Sequence, residues 1–264
     1  MLRYLRDFCR RGTSVLLIRT KSSDIPRRPL HTADRSQHSS FVTLPTGCGE
    51  EFRGDDGEST SFLARRWTEC ATTVSGGAIF GVAQTDTMLE VAGVACVLRA
   101  GMYFSAPETV RLEKGSGLVI VAQNRDVMFT LGGPIEQTGR LRYIDGCSDT
   151  LLLPPWRLGQ PCLNFLHFPP QTTQTQHTHP SSRVGLVMRG SGTCIYGESG
   201  ERVALAVGTA FVIPTDLVHA FETVDDILDV VAWHPDSDVG PTDDDHPMIN
   251  RTMVNGVSAS LLEK

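Results

Sequence analysis

Eight histidines are spread unevenly along the 264 residues. His31 and His38 stand near the start, the next is His167, and the last is His246, so side chains able to bind a metal or move a proton are concentrated in the second half. His177-Thr178-His179 is an H-x-H. On extended backbone, successive side chains alternate between faces, so both imidazoles point the same way. Gly190 follows where a turn would end the next strand, and Gly208, Pro214 and His219 then form G-x5-P-x4-H. Gly and Pro there shape a tight turn that brings a third imidazole toward the first two. Three neutral imidazoles converging on one point make a facial site for a divalent transition metal such as Fe, Mn, Ni, Cu or Zn. His167 and His234 fall in or beside expected strands. Either could line the same pocket as an acid, a base or a donor that orients a ligand, with His234 the candidate catalytic residue, whereas His246, in an Asp-rich stretch, is expected at the surface.

The elements that must position these residues are short apolar or alternating runs separated by Gly, Pro and Asp. They are Ala78–Ala83, Met88–Leu98, Leu118–Ala122, Val127–Leu131, Leu163–Phe168, Val184–Met188, Thr193–Tyr196, Val203–Val207, Ala210–Ile213 and Ile227–Trp233. Runs at this interval, without long amphipathic helical patterns, predict an all-β sandwich or barrel with little helix. Turn punctuation repeats. Gly101 and Pro107 are spaced as Gly208 and Pro214 are, and the second pair lies 107 residues after the first. Two β modules follow, over 41–140 and 141–235, joined near 133–145, with a C-terminal tail at 236–264.

Charge sets the remaining limits. The net charge is −6. Residues 1–40 carry nine basic and three acidic side chains, so the remainder is more acidic than the total suggests. An acidic body repels phosphate backbones, which argues against a nucleic-acid partner. No apolar stretch approaches the roughly 18 residues of a membrane span, which argues against a membrane partner. The Arg- and Ser-rich start, with Leu2, Leu5 and Phe8 striping one side of a helix, reads as a mitochondrial presequence; without it the chain would be cytoplasmic. Seven scattered cysteines without a C-x-x-C pair suit a reducing compartment such as the mitochondrial matrix and read as small buried hydrophobes.

The histidine and glycine spacing resembles the cupin superfamily, whose motifs read roughly G-x5-H-x-H-x3,4-E-x6-G and G-x5-P-x-G-x2-H-x3-N. His177, His179 and Gly190 match the first, and Gly208, Pro214 and His219 the second. Gln171 replaces the first Gly, Asp216 the inner Gly and Thr223 the Asn, while Arg183 occupies the position of the metal-binding Glu. Leu112 stands where the first copy would need its histidine. The resemblance implies a double-stranded β-helix (jelly-roll) bicupin, with a degenerate first cupin and one metal held by His177, His179 and His219 in the second.

With Arg183 in place of a carboxylate, the metal would keep its full charge beside a guanidinium. Such a pocket favours a small anionic ligand, with Arg183 as a fork for its carboxylate. Three functions compete. A non-haem Fe(II) dioxygenase would use the three histidines for iron and Arg183 for substrate. A metal-dependent isomerase or lyase would move a proton through His234 or Tyr196. A non-catalytic binding cupin would only hold its ligand. Substrate, metal and the choice between monomer and homodimer stay open at this level.

Overall fold

The computed structural model describes residues 40–45, 50–55, 61–157 and 159–236, and the backbone of 253–254 and 257–258. The basic segment through residue 39, with the targeting expectation that rests on it, and the acidic stretch containing His246 lie outside the described residues.

The first half contributes β1 (Val42–Thr43), β2 (Glu51–Asp55), β3 (Ser61–Thr68), β4 (Thr72–Val74), β5 (Ala78–Ala83), β6 (Thr87–Val91), β7 (Val94–Leu98), β8 (Tyr103–Ala106), β9 (Val110–Glu113), β10 (Ser116–Ala122) and β11 (Thr130–Gly132). After them come β12 (Leu141–Arg142), β13 (Ser148–Leu153), β14 (Cys162–Phe168), β15 (Arg183–Tyr196), β16 (Glu201–Ala206), β17 (Ala210–Ile213), β18 (His219–Glu222), β19 (Leu228–His234), β20 (Met253–Val254) and β21 (Val257–Ser258). Among the described residues the helical content is one 3-10 turn, Ile144–Gly146. The chain is all-β, as the short apolar runs predict, and a jelly roll, as the resemblance implies.

Sheet order repeats between the halves. In the first, β8-β5-β10-β3 lies within a six-stranded sheet, and β4-β9-β6-β7 forms a four-stranded one. In the second, β17-β15-β19-β14 takes the place of the former, while β18 and β16 flank the far end of β15 as β9 and β7 flank β6. Local geometry repeats too. Gly101 and Gly208 both have positive φ, +82° and +86°. Gly101 N–H donates to Ala83 O while Ala83 N–H donates to Met102 O, and Gly208 and Thr209 make the same exchange with Val187. A further pair of glycines sits under an aromatic ring. A Cβ on Gly81 would lie 2.4 Å from Phe104, and one on Gly185 2.4 Å from Phe211.

The period-two side-chain alternation explains why the strands read as unbroken apolar runs. In β5, Ala78, Phe80 and Val82 join a core shared with the second half, while Ile79 and Ala83 fill the first barrel. In β19, Val231 and Trp233 join that shared core, while Val230 and Ala232 fill the second barrel. Both faces are covered, and the described residues from 40 onward belong to one compact unit. β1 pairs with β17, so residues 42–43 are built into the sheet of the second half.

Four expected runs differ from the structure. Met88–Leu98 is a hairpin, because Ala92 (φ +51°) and Gly93 (φ +75°) form a two-residue turn that contains no Asn or Asp to announce it. Val184–Met188 and Thr193–Tyr196 are one strand, β15, because Gly190 (φ +73°) bends the chain without ending it. A Cβ there would lie 1.8 Å from Ile227 O, so only glycine fits. Val127–Leu131 shortens to Thr130–Gly132. The cysteine reading holds for Cys147, Cys162 and Cys194, which are buried and form no disulfide, but not for Cys70, which is disulfide-bonded.

Candidate metal centre

His177 and His179 do not lie on a regular strand. They sit on the extended stretch that follows β14, and His177 forms an isolated antiparallel bridge with His219 at the head of β18. Each backbone N–H donates to the other's carbonyl, at 3.0 and 2.9 Å, and Asp216 N–H donates to His179 O at 2.8 Å. The expected strand is thus a local clamp, but the alternation argument survives. The ring centroids of His177 lie 4.9 Å from those of His179 and 4.5 Å from those of His219, and one nitrogen from each of the three rings lies within 4.8 Å of the others.

Tautomers are set by the backbone. His177 Nδ1 lies 2.9 Å from Thr175 O and His219 Nδ1 lies 2.8 Å from Leu217 O. A carbonyl only accepts, so each Nδ1 carries the proton and each Nε2 keeps its lone pair for the shared point. Burial, with Arg183 next, pushes His179 down to about 3. Burial pushes His219 down to about 4 against the Leu217 hydrogen bond. Neutral imidazoles with converging lone pairs fit a divalent transition ion. This is the one such group of His, Cys, Asp and Glu among the described residues.

In protein stripped of metal these depressed values act against acid stability. Unfolding restores each histidine to about 6.5, so the unfolded state binds more protons wherever the pH lies between that value and the folded one. Stability is therefore expected to be full above pH 6.5 and to fall steadily toward pH 4, by up to about 1.4 kcal/mol per pH unit for each histidine. Thermal midpoints of chelator-treated protein at stepped pH measure this, and a flat profile from 6.5 to 5 would contradict it.

The histidines open into a cavity of ≈ 110 Å³, against the roughly 10–15 Å³ that one water position takes up. Leu166, Phe168, Phe211, Phe221 and Val230 make its walls apolar. Arg183 and His234 line it as expected. His167 and Tyr196 do not. His167 turns to Asp229, with Nδ1 2.6 Å from Oδ1, and Tyr196 stacks on Phe41 at 5.4 Å. His234 is buried, its Nδ1 has no hydrogen-bond partner, and burial followed by the charge of Arg183 holds the ring neutral.

Arg183 is 4% exposed, so it is not turned outward to a surface acid. Its Nη1 donates to Ser181 O at 3.0 Å and to Ser181 Oγ at 2.5 Å, and it stands 4.0 Å from Asp236 Oδ1. Asp236 also accepts from Ser181 Oγ at 2.6 Å. The positive charge expected from this guanidinium is thus offset in part by Asp236. Sequence reasoning did not identify Asp236, nor Asp149 and Asn164 on the cavity wall, which are joined by an Asn164 Nδ2 to Asp149 Oδ2 bond of 3.0 Å. An isolated acid or amide in a β pattern carries no spacing signal.

The register shows what the first half has at the same places. Thr72 pairs with Leu112 as His177 pairs with His219, and Ile79 pairs with Ala106 as Arg183 pairs with Ile213. Val119 opposes Gly81 as Ala232 opposes Gly185, which puts Val121 where the second half has His234. Val74, two residues after Thr72, matches His179. Thr72 is buried, and Val74, Ile79, Leu112 and Val121 belong to one packed apolar cluster.

Two departures from the resembled pattern have a backbone consequence. Gln171 (φ +62°) and Asp216 (φ +59°), each standing where that pattern has glycine, adopt the left-handed region. For a residue with a Cβ this costs roughly 1–2 kcal/mol, against about 0.5–1 kcal/mol of chain entropy lost by glycine. Asp216→Gly should therefore raise stability by about 0.5–1 kcal/mol in chemical denaturation, and a loss of that size would contradict the argument. Thr223, in the Asn position, ties down the turn before the histidines by accepting from Thr172 N–H at 2.9 Å and donating to Pro169 O.

Comparison with known proteins agrees with the fold. Residues 164–232 match the family described as "Cupin domain". No curated protein matches. Among solved structures, protein Ylba from E. coli is 13% identical with a TM-score of 0.53, covering 80% of this chain and 97% of its own. The Cupin 2 conserved barrel domain protein from Leptotrichia buccalis is 11% identical with a TM-score of 0.51, covering 75% and 90%. AerE from Microcystis aeruginosa is 12% identical with a TM-score of 0.51, covering 74% and 98%. At these identities the likeness is one of fold.

Proposed function

We propose, from the match of residues 164–232 to the cupin domain, a bicupin whose second barrel holds one divalent metal on His177, His179 and His219. The reading goes further, to a non-haem Fe(II) dioxygenase that acts on a small anionic substrate. The observation that carries it is the donor set itself: three converging imidazoles with, among the described residues, no carboxylate in the group, beside a buried arginine in a small apolar cavity. Bound iron would supply electron transfer to dioxygen and open coordination positions for substrate.

The chain's own residues do the remaining work. Arg183, steadied by Ser181, orients a substrate carboxylate through a charge-assisted hydrogen bond. Phe168, Phe211 and Phe221 exclude water and so strengthen that contact. His234, on the cavity wall, would accept or return a proton. In a second reading, a Lewis-acid isomerase or lyase, His234 on the cavity wall would move the proton rather than Tyr196, which stacks on Phe41.

Dioxygen uptake by iron-loaded protein, screened against small carboxylic acids, tests the first reading; turnover of the same acids without oxygen would replace it with the second. Arg183→Ala should weaken binding of the active acid by about 1.5–3 kcal/mol while metal content stays unchanged. An unaltered affinity would remove Arg183 from the site.

A further inference from the structure

Strands at the open edges of these sheets are mostly short or charged. β1 and β12 have two residues each, β4 and β11 three, β2 carries Glu51, Arg53 and Asp55, and β16 carries Glu201 and Arg202. β7 differs. It is the five-residue sequence Val-Ala-Cys-Val-Leu at the edge of the four-stranded sheet, with no charge and no proline, and Val94 and Val97 are 70% and 46% exposed. β16, which holds the matching position in the second half, has two charged residues at its start. Edges left long, flat and apolar pair with another chain, and charge or proline is the usual guard against it.

We propose that β7 is a self-pairing edge through which two copies of this chain join antiparallel about a two-fold axis at Cys96. The hydrogen-bond phase selects that register. The two-residue turn at Ala92-Gly93 makes Val91 and Val94 the closing hydrogen-bonded pair, so Cys96 and Leu98 also bond inward, to Leu89 and Thr87. The N–H and C=O groups of Ala95 and Val97 therefore face outward. Centred on Cys96, Ala95 of one copy opposes the partner's Val97 and both exchange their backbone bonds. Cys96 then opposes the partner's Cys96 as a non-hydrogen-bonded pair, with Cα atoms about 4.5 Å apart.

Electrostatics permits this union. β7 brings no like charges together at the seam, and the nearest charge on its outward face, Glu90, is opposed by Arg111 on the adjoining strand. The joined sheet would run without a break through both copies and would cover Val94 and Val97. The inference stands apart from the metal reading, because β7 lies in the barrel without histidines.

Sedimentation of the full chain over about a hundredfold concentration range should show a reversible dimer, and Val97→Lys should raise its dissociation constant at least about tenfold. A monomer throughout, or a dimer unmoved by Val97→Lys, would overturn the proposal. Diamide treatment of the unaltered protein gives a test that does not depend on a folded variant. Two Cys96 thiols would lose two protons and two electrons to one diamide, which is reduced to the hydrazine as one S–S bond forms. The distance lies within the roughly 4.4–6.8 Å that a disulfide spans, so peptide mapping should find Cys96 joined to the partner's Cys96. Absence of that peptide in oxidised dimer would refute the register.

Discussion

Replacing His219 by alanine is expected to remove metal from the protein. Wild-type protein purified under argon should carry close to one divalent ion per chain; His219→Ala and His177→Ala should carry almost none, an affinity loss beyond the roughly 10–100-fold that follows when only a residue supporting a ligand is removed. The size of the effect follows from geometry. Three imidazole nitrogens within 4.8 Å of one another are the whole donor set among the described residues, and Arg183 occupies the place of the ligating Glu in the resembled pattern. Two lone pairs hold such an ion poorly. His219 also anchors the clamp through its backbone, so His219→Ala keeps the 2.9 and 3.0 Å bonds to His177 and tests the ring alone. His234→Ala is the control and should keep its metal. Elemental analysis decides it: a stoichiometry near two, or full metal in both variants, would defeat the single-site reading.

The second large effect is expected in the shared core. Trp233 is fully buried, with its ring centroid 5.2 Å from Phe62 and 6.3 Å from Phe80 across the meeting of the two halves. Trp233→Ala leaves a void bordered by both halves and should cost about 3–5 kcal/mol. Trp233→Phe should cost far less, about 1 kcal/mol or below, because Nε1 is buried without a hydrogen-bond partner and phenylalanine removes that unsatisfied donor along with part of the volume. Denaturant titration followed by fluorescence and by circular dichroism measures both. Because Phe80 and Trp233 share one core, the loss should move a single transition for the whole body. Two separated transitions, with only the second moved, would show that the halves unfold independently.

Much of this protein was legible before any coordinates. The all-β architecture follows from runs such as Ala78–Ala83 and Ala210–Ile213, whose ends match the strands residue for residue, because apolar side chains bounded by turn residues have few other ways to be buried. The repeat at 107 residues survives as matched positive-φ turns at Gly101 and Gly208, since a left-handed position leaves its mark in composition. The histidine trio was legible because alternation and turn chemistry are local rules.

Other features depended on parts of the chain that are distant in sequence. That β5 and β19 each divide their side chains between an internal core and a shared one could not be read from an unbroken apolar run, which is the same whether one face or two is covered. β3 went unread because Arg65 and Arg66 interrupt its apolar pattern, and Arg66 is nonetheless 9% exposed. The bend at Gly190 was mistaken for an end, because only the carbonyl of Ile227, 37 positions away, shows why glycine stands there. Arg183 is the sharpest case. Its type and place were plain, but whether its charge would reach the cavity uncompensated depended on Asp236 and Ser181. Coulomb interactions act over distance in space, so the ionic balance of this site was settled only when the end of β19 brought Asp236 beside the start of β15.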